Sequence, residues 1–427
     1  MSHYLSRILR SDLFHNTSRL FAANVLAQVI GLFVYPFLTR LYSESDFGLF
    51  NLFMSIGGVV AVVSTAEWQN AIPLPRSDSS ARGVFHAGVL TLMLVVAVLC
   101  LLLPFSHPIA DLFDAPEIAS YLWLLPLYIM GLGGWQLLNG WYTRRKMFVR
   151  ISTYQISQNL LSAIMKLILG VAGVCGGLLY GSVAAPVVAA GIIIAWTYRK
   201  HLRFLIVFNR QECHEAAHTY RKFPFFSMPR ALVNTLSGNL PVFLLSPHFG
   251  LAATGLLGMA FTIALRPLTM ITGSVSQVLL QRFAFNVSHK QSVRKDFIRY
   301  LALTTGVILP VFAVLYFILP WLTALLFGAQ WRETGELVRL MLPWLMLVVI
   351  GGGISFVPDL FGRQHISMWI EYGYIVLRVA ALLTGIFFNN FHMAVFLFSI
   401  SGVIVIGGQL VWYAVMIKKF EKQNALG

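Results

Sequence analysis

The chain is short of charge, and shortest of negative charge. Only 11% of its 427 residues are Asp, Glu, Lys or Arg, with 16 acids against 31 bases. A soluble domain carries about 25%, so no large soluble domain fits. Cysteine is nearly missing: Cys100, Cys175 and Cys213 form no CxxC pair, which excludes a disulfide framework and a thiolate zinc centre. The histidines lie mostly in loops, among them His201, His214, His218 and His289, and no metal site is expected of them. No Gly-rich phosphate loop, nucleophile elbow or pair of catalytic carboxylates stands out, so neither an enzyme nor a cofactor is expected. The opening MSHYLSRILRSDLFHNTSRL lacks the apolar core of a signal peptide. It reads as a cytoplasmic lead-in to a first span.

What is present is apolar sequence. Hydrophobic residues make up 58% of the chain, and the mean hydropathy is +0.75. Long apolar runs alternate with short polar breaks from about Arg19 to Met416. A bilayer core needs about 20 apolar residues per helix. The runs predict an all-α polytopic membrane protein with twelve spans, at 19–40, 46–70, 84–105, 119–142, 151–172, 176–198, 223–247, 251–275, 300–320, 336–357, 367–388 and 393–416. A very short glycine turn joins the fifth and sixth. Of the 31 Lys and Arg residues, 24 fall in the N-terminus, the C-terminus and the breaks near 76, 146, 210, 290 and 363. Only Arg40, Arg332 and Arg339 fall on the opposite side, together with Asp111, Asp114 and Glu117. This asymmetry predicts that both termini are cytoplasmic. It also accounts for the net charge of +15 without a nucleic-acid partner.

The longest internal break divides the chain into an N-terminal six-helix lobe (1–198), a cytoplasmic linker (199–222) and a C-terminal six-helix lobe (223–427). With six spans each, both lobes enter from the cytoplasm, as in a parallel repeat, and the expected arrangement places a central cavity between the two lobes.

Six charges remain within spans: the bases Lys166, Arg230, Arg266 and Arg378, and the acids Glu67 and Glu371. A charge at the bilayer centre costs on the order of 3 kcal/mol, so each needs a reason. Arg230 and Arg266 lie about 10 Å inside the cytoplasmic end of their spans by helical rise. They are the first candidates for holding an anion, because a guanidinium gives phosphate two parallel hydrogen bonds. The ordinary alternative is snorkelling or pairing with Glu67 or Glu371. Arg378 stands two turns from Glu371 and is open to either role. Lys166 is near the outer end of its span, where snorkelling suffices. Glu67 and Glu371 are candidate ion-coupling groups, or merely neutralise a base. Pro36, Pro229, Pro241 and Pro267 lie inside spans and are places where a helix can kink.

Four segments carry a resemblance. RLFAANVLAQVIGLFVYPFLTRLYSESDFGLFNLF contains a turn similar to L-T-R-x-x-x-x-x-x-F/Y-G. AEWQNAIPLPRSDSSA resembles R-Y-E-x-A-I-x-L-P, with Ala66-Glu67-Trp68-Gln69 in place of its opening. YRKFPFFSMPRALVNTLSGNLPVFLLSPHFGLAATGLLGMAFTIALRPLTMITGSVSQVLLQRF resembles the start of a second lobe. LFGAQWRETGELVRLMLPWLMLVVI is similar to an F-G-x-x-W-x-x-A-G turn and the span after it. Together they resemble the O-antigen and capsule oligosaccharide flippases (Wzx-like polysaccharide transporters) of the multidrug/oligosaccharidyl-lipid/polysaccharide exporter superfamily.

The resemblance implies movement of an undecaprenyl-diphosphate-linked oligosaccharide across the bacterial inner membrane by alternating access. The expected partners are that lipid-linked oligosaccharide, membrane lipids, and a polysaccharide polymerase and chain-length regulator. Two rivals share the superfamily. A multidrug or cation antiporter is disfavoured by four bases against two acids within the spans. A peptidoglycan-precursor (lipid II) flippase usually carries two further spans.

Overall fold

The computed structural model describes residues 28, 31–197, 203–289 and 291–426, and these form helices and turns with no strand among them. The expected start of the first span at residue 19, and linker residues Arg199, Lys200 and His201, lie outside the described residues. The described part of the first helix, α1, covers 31–41. Helix α2 (Glu44–Thr65) starts at a capping box: Ser43 Oγ accepts from the Asp46 N–H, and the Asp46 carboxylate accepts from the Ser43 N–H at 2.9 Å. Helices α3 (Asp78–Leu102), α4 (Leu124–Arg144), α5 (Phe148–Val171) and α6 (Gly177–Thr197) follow. Gly173 (φ 68°) and Gly176 (φ 74°) make the left-handed turn between α5 and α6, which glycine adopts without steric cost.

Met228–Ser288 is helical throughout except at Gly250 (φ 80°, ψ 177°). That residue separates α7 (228–249) from α8 (251–288). Helices α9 (Arg294–Phe327), α10 (Arg332–Gly352), α11 (Gln364–Phe387) and α12 (Phe391–Leu426) complete the described chain.

Among the described residues, eight helical stretches are long and apolar enough to cross a membrane, and one of them contains both α7 and α8. Helices α4 and α5 fall outside this set because of their own polar residues: Gln136 and Asn139 on α4, and Arg150, Gln155, Gln158, Asn159 and Lys166 on α5. Almost none of the most apolar stretch of α9 is buried. Its Leu303, Val307, Val311, Val314 and Phe317 are exposed, a continuous apolar face that water would not tolerate. The solvent for this face is lipid, and the chain is an all-α polytopic membrane protein.

Helix limits depart from the expected spans in two ways. The second span, expected at 46–70, ends at Thr65, where Ala66 (φ 44°) and Glu67 (φ 63°) turn left-handed before the short helix Trp68–Ala71. In the second half, α8, α9 and α12 run well past their apolar cores. Their ends pack together through Phe283, Phe297, Tyr413 and Ile417. Arg282 pairs with Asp296 at 2.6 Å, and the Arg294 N–H donates to Glu421 Oε1 at 3.1 Å. Hydropathy marks only the part of a helix that lies in lipid, so these extensions carry no apolar signal.

The chain forms two compact units, one ending at Ala252 and the other starting at Ala253. Helix α7 thus packs with the helices before it. The division into lobes at 199–222 concerns span topology and remains an expectation. Inside each unit, small residues allow helices to approach. This matters because lipid tails are as apolar as leucine and leave packing to drive association. Gly48 on α2 lies against the backbone of Leu251, where an added Cβ would stand 1.8 Å from the carbonyl oxygen. Gly335 on α10 lies against α9, where a Cβ would stand 2.6 Å from Pro320 Cα.

Candidate functional site

The six charges expected within spans divide evenly between the units. Glu67, Lys166 and Arg230 belong to the first; Arg266, Glu371 and Arg378 belong to the second.

Arg230 sits two residues into α7, after a single π-helical turn at Phe223–Ser227. Its side chain is exposed, and among the described residues it makes no ion pair. Arg266 is also exposed, and Pro267 follows it. Its carbonyl accepts from Thr269 Oγ1 at 2.9 Å. Arg378 is half-buried on α11, with its guanidinium carbon 3.7 Å from the ring centre of Tyr374 and 5.3 Å from that of Phe398. Both distances are within the range of cation–π attraction. The aromatic faces fix the plane of the guanidinium, and with it the direction in which its N–H groups point.

Lys166 is anchored more firmly than snorkelling requires. Its Nζ lies 4.7 Å from the Phe50 ring centre, and its carbonyl accepts from Tyr42 OH at 2.7 Å. Its stem packs on Gly181 of α6, where any Cβ would come within 2.8 Å of Lys166 Cγ. Tyr42 lies at the turn that carries the L-T-R sequence, so the Lys166 backbone ties α5 to the α1–α2 corner while its side chain reaches Phe50 on α2.

The two acids have separate partners. Glu67 occupies the left-handed break after α2, and Asn70 Nδ2 donates to its Oε2. Glu371 Oε1 accepts from Gln409 Nε2 of α12 at 3.4 Å.

Two features escaped the reading of the sequence. The first is a polar stripe on α5, formed by Ser152, Gln155, Asn159, Ser162 and Lys166 at helical spacing, with every member half-buried. Beside it, Trp135 and Tyr154 stack with ring centres 3.4 Å apart and planes 10° apart. The buried Asn139 Oδ1, Tyr154 OH and Gln155 Oε1 have no hydrogen-bond partner among the described residues. Amides and hydroxyls next to stacked rings form a surface suited to hydroxyl-rich ligands. The signal was in the sequence as a 3–4-residue recurrence of Ser, Gln and Asn, hidden by attention to charge alone.

The second is His214-Glu215-Ala216-Ala217-His218, which has the HExxH spacing of zinc hydrolases. It lies on the short helix Arg210–Thr219, with both histidines exposed. Glu215 Oε1 accepts from Gln211 Nε2 at 2.9 Å. Among the described residues no three His, Cys, Asp or Glu side chains gather as a metal would need. The buried face of this helix, Cys213 and Ala216, packs on α3.

That packing is reinforced by charge. Arg82 of α3 donates to both oxygens of Glu212, at 2.9 Å from Nε and 2.6 Å from the terminal nitrogen. The guanidinium also lies 4.2 Å from the Phe204 ring centre. His86 Nε2 is 2.7 Å from the Leu205 carbonyl oxygen. Arg82 was expected only to mark the cytoplasmic side. Here it docks the described part of the linker onto the first unit, and it holds the Glu212 carboxyl below the usual carboxylate range.

Comparison with known proteins gives the architecture its place. The sequence profile of the family described as polysaccharide biosynthesis protein matches residues 37–336. The chain belongs to that family. The succinoglycan biosynthesis transport protein ExoT of Rhizobium meliloti is 24% identical over 347 residues, covering 78% of this chain and 66% of its own. The chain thus spans slightly under two thirds of that relative's length. The amylovoran biosynthesis protein AmsL of Erwinia amylovora is 21% identical over 324 residues, covering 69% of this chain and 80% of its own. Among solved structures, the lipid II flippase MurJ in an inward closed conformation superposes with a TM-score of 0.71 at 16% identity, over 95% of this chain and 91% of that one. An outward-facing multidrug resistance MATE family transporter of the MOP superfamily superposes with a TM-score of 0.59 at 16% identity, over 97% of this chain and 98% of that one, so the chain shares the fold of these solved structures.

Proposed function

From that membership we propose that the protein is a flippase for an undecaprenyl-diphosphate-linked oligosaccharide, a repeat unit of O-antigen, capsule or exopolysaccharide. It works in the bacterial inner membrane with both termini in the cytoplasm, carrying the head group from the cytoplasmic to the outer leaflet by alternating access. The observation that carries this reading is the family match across 300 residues, 37–336, of a chain whose in-span charges are four bases against two acids.

The residues take roles that follow from their chemistry. Arg230 and Arg266, exposed on membrane-embedded helices, engage the diphosphate. Arg378, held between aromatic faces, adds a third guanidinium. Lys166 contributes positive charge within the polar stripe of α5, and the neutral members of the stripe meet sugar hydroxyls. The prenyl tail stays in lipid. Glu67 and Glu371 are the groups through which an ion gradient would couple. A diphosphate carries about two negative charges, and fixed guanidinium groups in a low-dielectric interior offset them more strongly than water-exposed groups do.

The experiment is deletion of the gene. Lipid-linked oligosaccharide should accumulate on the cytoplasmic leaflet and surface polymer should fall, while sensitivity to ethidium-like cations stays at the level of a general envelope defect. Normal surface polymer in the deletion strain, with a specific gain in cation sensitivity, would overturn the reading in favour of a drug antiporter.

A further inference from the structure

The second unit contains a pocket that the transport reading does not use. It has a volume of about 330 Å³ and lies between the start of α11 and the last turns of α12. Its walls include Arg363, Lys419, Phe361, Trp412, Val415 and Met416, and no carboxylate lines it. Among the described residues neither Arg363 nor Lys419 makes an ion pair. Two cations therefore face one partly apolar pocket that no described carboxylate lines.

The depth of each wall follows from helical rise. Helices α11 and α12 form a hairpin around the Asn389–Asn390 turn. Trp412 is 21 residues along α12 from Phe391, or roughly 32 Å, and Lys419 is 28 residues along, or roughly 42 Å. A hydrocarbon core is about 30 Å thick. Trp412 thus stands at the boundary of the hydrocarbon, where Trp is favoured, and Lys419 stands among head groups. Arg363 immediately precedes the 24-residue α11 and reaches the same level. The N-terminus of α11 opens here too, and a helix N-terminus attracts negative charge.

The geometry points to a binding site for the phosphate of an anionic glycerophospholipid. The phosphate lies between Arg363 and Lys419, and the glycerol and first methylenes lie against Trp412, Val415 and Met416. In the orientation proposed above the lipid belongs to the cytoplasmic leaflet. Neither Arg230 nor Arg266 lines the pocket, so its failure would leave the transport reading standing.

The test uses the purified full-length protein in nanodiscs of equal parts phosphatidylcholine and phosphatidylglycerol, with retained lipid counted by native mass spectrometry. Phosphatidylglycerol should be retained over phosphatidylcholine. Arg363→Gln combined with Lys419→Gln should lower that retention about tenfold or more, the loss expected for charge-assisted hydrogen bonds. Arg363→Lys with Lys419→Arg should keep it, which guards against a folding defect. Val415→Trp should lower it by filling the pocket with both charges intact. Lys418→Gln, a neighbouring cation outside the pocket, should have no effect. Equal retention of the two lipids, an equal loss in Lys418→Gln, or displacement by inorganic phosphate would overturn the assignment, the last by showing a free-phosphate site.

Discussion

Gly48 leaves no room for even a methyl group, since a Cβ there would collide with the Leu251 carbonyl oxygen. This is a physical reason for the F-G step in the first family-like turn: Phe47 is buried and Gly48 lets the backbone of Leu251 close on α2. Gly48→Val should lower stability in detergent by about 1–3 kcal/mol, the usual penalty for overpacking, measured as a fall in melting temperature. An unchanged melting temperature would mean that this crossing is looser than described. The arginines give a prediction of the opposite kind. Arg230→Ala and Arg266→Ala should each stop polysaccharide export while membrane protein levels stay near normal. Losing a charge-assisted hydrogen bond to phosphate costs about 1.5–3 kcal/mol. Lysine should rescue only partly, because an ammonium lacks the planar fork. Full export by both alanine variants would remove these residues from the site. All four in-span bases were legible in the sequence, because a charge in an apolar run stands out. Their partners were not: Phe50, which receives Lys166, and Phe398, which receives Arg378, lie 116 and 20 residues away.

The same limit applies to the elements. The glycine turn between α5 and α6 was readable because the residue type dictates the backbone. The extensions of α8, α9 and α12 were not, because polar sequence in a helix looks like polar sequence in a loop until Phe283, Phe297 and Tyr413 are seen to pack. The linker is the clearest case. Nothing in the sequence near Arg82 announces Glu212, 130 residues on, yet the pair fixes the Arg210–Thr219 helix to α3. Glu212→Gln should release that helix, and limited proteolysis of the 203–219 segment should quicken while the membrane helices stay resistant. Acid should act the same way. A carboxyl whose folded pKa is lowered contributes stability that is present above its unfolded pKa and is lost as pH falls through the folded value. The segment should thus stay docked at neutral pH and become protease-sensitive only below about pH 4. Release at neutral pH would contradict this role for the Arg82–Glu212 pair.

At the scale of the whole molecule, the long apolar runs made membrane residence and a helical architecture legible, and the helices and their likeness to solved transporters bear both out. Orientation is a separate claim. Reporters fused after residues 210 and 290 should report cytoplasm, and those after 112 and 330 the outer side, as 24 bases against 3 require. A cytoplasmic signal at 112 would break the span order of the first half. Counting bases against acids bears only on the anionic part of the proposed substrate; its sugars would be met by neutral groups such as those of the α5 stripe, which composition does not single out. The most direct test of the transport claim is therefore a reconstitution. Purified protein in liposomes should move an undecaprenyl-diphosphate-linked oligosaccharide between leaflets, and should leave an ethidium-like cation where it is. Movement of the cation with or against a gradient, and none of the lipid-linked sugar, would contradict the account.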